Sequence, residues 1–201
     1  MLTGFFLMVR ISLAWGLVVF IAMVILAQFV FRVNTIAGGL EFLPLIAGIL
    51  AMAMVFSHIS RVRLITMDVN AQTLSNRQRR LMTLAMEAET AFALLEAVLK
   101  EFPGVVEVAS SADSLQIRAK LRQLHPYHHT ALAQMSGFEW LGSGQHQILA
   151  TVTPGAGGCE LMLICEPDRA AWVDSFLVDH GTNLEIAEAL VRAISQRAYR
   201  S

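Results

Sequence analysis

His146-Gln147-Ile148-Leu149-Ala150-Thr151-Val152-Thr153-Pro154-Gly155-Ala156-Gly157-Gly158-Cys159-Glu160-Leu161-Met162-Leu163-Ile164-Cys165 holds two apolar alternations around a glycine-rich centre. Ile148, Ala150 and Val152 alternate with Leu149 and Thr151, and Leu161, Leu163 and Cys165 continue the period of two on the far side. That period is the signature of a half-buried strand. Pro154 to Gly158 is a turn. A phosphate-binding loop would need Gly-Lys-Ser/Thr with a helix after it, whereas a strand follows here. The stretch therefore reads as an antiparallel hairpin.

The same reading extends outward. Val106 and Val108 alternate with Glu107, and Leu115, Ile117 and Ala119 alternate with Gln116, Arg118 and Lys120. Ser110 to Ser114 joins these two as a hairpin-like turn. Leu81 to Ala85 reads as a first strand, and Trp172 to Val178 as a last one. Between Glu87 and Phe102, residues Ala88, Ala91, Phe92, Leu95, Val98, Leu99 and Phe102 fall on one helical stripe. Acids in the first turn and Pro103-Gly104 after the last mark the ends of that helix. Thr182-Asn183-Leu184-Glu185 is a capping box, followed by Ile186, Ala187, Leu190, Val191 and Ile194 at helical spacing. Short turns force antiparallel pairing. The expected class is α+β, an antiparallel sheet covered by two helices.

The 201 residues carry a formal net charge of −1 and 15% charged side chains, below the roughly 25% of an ordinary soluble domain. The shortage is local: residues 1–60 contain only Arg10, Arg32 and Glu41. The 21 residues from Ile11 to Phe31 carry no charge, and at ~1.5 Å per residue they reach about 31 Å, the hydrocarbon thickness of a bilayer. A second apolar run follows from Phe42 to Ile59, with Pro44 where a first helical turn tolerates it. The hydropathy therefore predicts an N-terminal two-helix transmembrane hairpin, with spans at about 11–31 and 42–59. The run is too long for a signal-peptide core. A juxtamembrane connector would cover 61–80, and a cytoplasmic α+β domain 81–201. Arg61, Arg63, Arg77, Arg79 and Arg80 follow the second run, which places both termini on the cytoplasmic side of a bacterial inner membrane in a multi-pass arrangement. Arg61 and Arg63 would then sit at the membrane surface against anionic headgroups. Near-zero charge argues against a nucleic-acid partner.

Several groups invite chemistry. His125, His128 and His129 offer three imidazoles in five positions, weak candidates for a metal site. No Cys-x-x-Cys or His-Glu-x-x-His accompanies them. Phe138, Trp140 and Leu141 in the same polar stretch either lie at a membrane interface or plug one end of the sheet. Cys159 and Cys165 lie six apart, on one face of a strand, where free cysteines are usually small core hydrophobes. Asp174, Ser175, Asp179 and His180 contain the types of an acid–base site. Gly181-Thr182-Asn183 accounts for them locally as turn and cap. No catalytic residue and no cofactor follows from any of this.

Val69 to Arg80, His146 to Gly155, Cys165-Glu166-Pro167 with Trp172, Asp174 and Phe176, and Asp179 to Glu185 with Ala187-Glu188-Ala189 together resemble the membrane-anchored N-terminal region of LytS-type sensor histidine kinases. The resemblance implies a sensor module of a two-component signalling protein. The phosphoacceptor His and the Pro-His-Phe-Leu-Tyr-Asn of those kinases are absent from this sequence, so the resemblance implies an isolated sensor or linker module without kinase activity, or a truncated one. The expected function is a non-enzymatic, membrane-anchored sensor or interaction module. Its partners would be the lipid bilayer and either another protein or a second copy. The alternatives are a small metal- or thiol-dependent enzyme and a scaffold for a membrane complex.

Overall fold

The computed structural model describes positions 5, 6, 9, 10, 13, 14, 16–18, 20, 21 and 25, then residues 43–122, 145–168, 179 and 181–200. The chain divides into two compact units: 1–74 with 170–181, and 75–169 with 182–201. The first is called the helical unit below, and the second the sheet unit.

In the sheet unit the expected hairpins are present. The elements are β1 (Gln78–Leu84), α2 (Ala88–Glu101), β2 (Val105–Ser111), β3 (Gln116–Arg122), β4 (Gln145–Gly155), β5 (Gly158–Pro167) and α3 (Thr182–Arg200), while α1 (Leu43–Ile65) belongs to the helical unit. The five strands form one antiparallel sheet in the order β1-β5-β4-β3-β2. The decisive pairing is β4 with β5, in register from His146↔Pro167 to Gly155↔Gly158. Ile148, Ala150 and Val152 of β4 and Cys159, Leu161, Leu163 and Cys165 of β5 are buried. They pack with Ala91, Leu95 and Leu99 of α2 and Ala187, Leu190 and Ile194 of α3 in a single core. The α+β part of the expectation thus fits. In α3, Asn183 and Leu184 are also fully buried, while Ile186 and Val191 pack partly buried against the core.

The edges of the strands differ from the sequence reading for one reason. β1 starts at Gln78, inside the stretch read as a connector, and β4 starts at Gln145, three residues before the apolar alternation that begins at Ile148. Both ends carry polar residues on the core side. Gln78 is 1% exposed and donates Nε2–H to the Ser75 carbonyl at 2.5 Å. Arg80 pairs with Glu188 of α3 at 2.9 Å. A buried polar group satisfied by a partner looks, in sequence, like a solvated one. The expected strand at 172–178 lies outside the described residues.

The transmembrane hairpin is corrected. Among the described residues no helix is long and apolar enough to cross a membrane. The inner-membrane, multi-pass placement with cytoplasmic termini falls with it. The second expected span is part of α1, which runs on past Ile59 through Arg61 and Arg63 to Ile65. Val55, His58 and Val62 form a buried stripe on it, exposed by 3%, 0% and 0%. This stripe packs against protein and includes an imidazole, neither of which a count of charges detects. Of the first expected span, 11–31, most residues lie outside the described set. Phe5, Phe6, Val9 and Arg10, on the N-terminal side of that span, are helical.

Two glycines hold the central hairpin. Gly157 has φ +88°, which suits glycine at the tip. Gly158 has φ +156°, and a Cβ there would lie 2.2 Å from the Leu84 carbonyl oxygen on neighbouring β1. Gly158→Ala must push two paired strands apart. It is expected to lower unfolding stability by about 1–3 kcal/mol, measured by denaturant titration. Gly155→Ala meets only ordinary contact, 3.7 Å to the Gly158 carbonyl oxygen, and serves as the control.

Candidate functional site

Among the described residues, four of the buried polar side chains, His58, Asp179, His146 and Asn183, fall in two clusters, one in each unit. In the helical unit, His58 lies on α1 one turn past Val55, at 0% exposure. A carbonyl can only accept, so the Nε2–H of His58 donates to the Leu74 carbonyl, at 3.1 Å. The other ring nitrogen, Nδ1, lies 3.8 Å from Oδ1 of Asp179, whose side chain is 2% exposed. The same Oδ1 accepts the Gly181 N–H at 3.0 Å. Asp179 is therefore a turn residue, as the sequence indicates, with an added role opposite His58. Gly181 has φ +78°, and a Cβ there would lie 3.3 Å from Ile65 Cδ1 and 3.4 Å from Val62 Cγ2.

In the sheet unit, Asn183 Nδ2 donates to the Asn76 carbonyl at 2.7 Å. That bond turns Asn183 Oδ1 toward His146, so His146 carries its proton on Nδ1 and donates it at 2.8 Å. Both side chains are buried, Asn183 completely. The network joins the residues before β1, the start of β4 and the first turn of α3.

Cys159 and Cys165 are buried on the core face, the first beside Leu84 and the second between Gln78 and Ile148 in register. Burial raises the Cys159 thiol and pushes that of Cys165 up to about 12, slightly relieved by Arg80. A thiolate is the reactive form. Neither thiol is therefore expected to react with iodoacetamide in the native protein at pH 8, and both should react in denaturant, as read by intact mass. Rapid labelling of native Cys165 would contradict this burial.

The metal candidates His125, His128 and His129 lie outside the described residues, as do Glu41, Phe138, Trp140, Asp174 and His180. Among the described residues no group of three His, Cys, Asp or Glu side chains could hold a metal ion. Arg61 and Arg63 occupy the last turns of α1, half-buried and exposed respectively. Sequence reasoning passed over His58, hidden in an apolar run, and over the Asn76–Asn183–His146 network. The signal for His58 was available, because an imidazole amid apolar residues needs a partner.

The helical unit also carries most of the exposed apolar surface. Among the described residues, 14 of the 17 exposed large hydrophobics lie between Phe5 and Met67, and the other three are Leu81, Val106 and Tyr199. On α1 these are Ile49, Met52, Phe56 and Leu64, and the helical positions nearer the N-terminus add Phe5, Phe6, Leu13 and Leu17. Single exposed apolar residues need no explanation, whereas contiguous apolar patches are where protein or lipid partners bind.

No family model matches this sequence. No curated protein matches it either. The chain has a loose likeness to a solved structure titled "Crystal structure of Ara h 8.0201", with a TM-score of 0.38 and 8% identity, over 62% of this chain and 98% of that one. At that score the likeness carries no argument about fold or function.

Proposed function

We propose that this protein is a non-enzymatic interaction module whose helical unit docks on a lipid surface. The observation that carries it is the crowding of exposed apolar side chains into the helical unit. Lipid is the favoured occupant because few charges interrupt these residues and because Arg61 and Arg63 follow them on α1, with exposed Leu64 and Met67 just beyond. Apolar side chains in the acyl boundary and basic ones at the headgroups are the pattern of an interfacial helix. Contact with lipid is the claim; passage across it is not. The described imidazoles and thiols engage the chain's own carbonyls, amides and core, which favours a structural over a catalytic use of them.

The test is co-flotation of the full chain with vesicles. Binding is expected on zwitterionic vesicles and more strongly on vesicles containing anionic lipid. Each basic residue near an anionic surface contributes about 1 kcal/mol, so R61Q/R63Q is expected to weaken the anionic preference by up to about 30-fold at low salt. A full chain that stays monodisperse in buffer and leaves vesicles bare would refute the proposal. Detergent-sensitive self-association with bare vesicles would assign the surface to a second copy instead.

A further inference from the structure

Two faces of α1 can be told apart by what meets them. Val55, His58 and Val62 form the protein-facing stripe. His58 donates to the Leu74 carbonyl and lies opposite Asp179, and Gly181 closely approaches Val62. At ~100° per residue, Ile49, Met52, Phe56 and Arg63 fall within an arc of about 60°, roughly 120° round the helix from that stripe. Arg63 is exposed, and Ile49, Met52 and Phe56 are exposed by 58%, 56% and 73%. Together they make one straight ridge that begins apolar and ends basic. Arg61 lies about 140° round the helix from Phe56, and it is half-buried.

We propose that α1 lies flat on the lipid surface, with Ile49, Met52 and Phe56 as the inserted ridge and Arg63 on the lipid phosphates. The inference rests on the lipid reading above and adds the face, the orientation and the cation that meets the headgroup. The protein-facing stripe sets the orientation. A helix inserted end-on meets hydrocarbon on every side and must be able to face it all round. α1 cannot, because one side of it is packed against a carbonyl and the Asp179 carboxylate, which would enter the hydrocarbon with it at a high desolvation cost. The turn after α1 is polar too: Asp68 is exposed, and Asn70 Oδ1 accepts the Gln72 and Thr73 N–H groups. Lying flat leaves that turn in water and gives the ridge to the acyl boundary. The apolar stem of Arg63 follows the ridge while its guanidinium reaches outward. A guanidinium pairs its N–H donors with phosphate oxygens, so the headgroup it fits is anionic and phosphate-bearing.

The test begins with co-flotation of the full chain on phosphatidylcholine vesicles containing phosphatidylglycerol, then maps the bound state. Ile49→Cys, Met52→Cys, Phe56→Cys and Ser57→Cys are each labelled with a nitroxide, and intact mass confirms a single label. Accessibility to oxygen, which concentrates in the bilayer, is divided by accessibility to a water-soluble nickel chelate. The ratios at 49, 52 and 56 are expected to agree within twofold and to exceed that at 57 at least fivefold. A ratio that climbs steadily from 57 to 49 means end-on entry and overturns the proposal. Equal ratios at 56 and 57 mean lipid on all sides and overturn it as well. Either result with vesicles that float the protein leaves the lipid reading standing, whereas bare vesicles end both. R63Q is expected to weaken the preference for anionic over zwitterionic vesicles about fivefold, and R61Q less than twofold. The reverse order would take the cation off the ridge and refute the assignment.

Discussion

Asn183→Ala is expected to destabilise the protein by about 2–5 kcal/mol, although it removes only a small polar side chain. Asn183 is fully buried, and its amide satisfies two groups at once: the Asn76 carbonyl and the His146 Nδ1–H. Truncation leaves both without this partner, and stranding a buried donor or acceptor costs about 1–3 kcal/mol each. The measurement is the unfolding free energy from reversible denaturant titration. A double-mutant cycle sharpens it. In Asn183→Leu with His146→Phe the polar pair is gone, so the double variant should cost about 1–2 kcal/mol less than the sum of the singles. Additive costs would show that the two side chains do not act as a pair. A loss below about 0.5 kcal/mol for Asn183→Ala would show that the network is incidental.

The second large effect is expected at Leu163→Ala. Leu163 is fully buried on β5, an interior strand, opposite Ala150 of β4 and Arg80 of β1. Neither neighbour can fill the space: Ala150 has no atoms beyond Cβ, and Arg80 is tied to Glu188 of α3. A cavity that cannot collapse lies at the costly end of the leucine-to-alanine range, so a loss of about 3–5 kcal/mol is expected. Leu163→Met nearly conserves volume and should cost less than about 1.5 kcal/mol. The contrast between the two, measured under one set of conditions, separates a cavity effect from a general intolerance of substitution at this position.

Strand and helix identity in the sheet unit was legible because burial there follows simple periods. Ile148, Ala150 and Val152 at spacing two, and Ala88, Ala91, Leu95 and Leu99 at helical spacing, are buried where the pattern puts them. Legibility failed where buried positions are polar. Gln78 and His146 sit on the core face of their strands, bonded to the Ser75 carbonyl and to Asn183 respectively. Polarity alone marks such residues as solvated, so the starts of β1 and β4 were read short. Hydropathy failed in the opposite sense on α1. The run from Phe42 to Ile59 looked uniform, yet its C-terminal part is a packed stripe with a histidine at its centre.

What the sequence determined by itself was the α+β class, the Pro154–Gly158 turn and the core faces of α2 and β3 to β5. Each depends on neighbours within a few residues, where backbone geometry converts spacing directly into facing. Tertiary structure alone decided which polar groups are buried and with what. His58 meets Leu74 and Asp179, and Asn183 meets Asn76 and His146, across separations of 16 residues or more. A hydrogen bond is specified by atoms about 3 Å apart in space, and no local period in the chain encodes that distance.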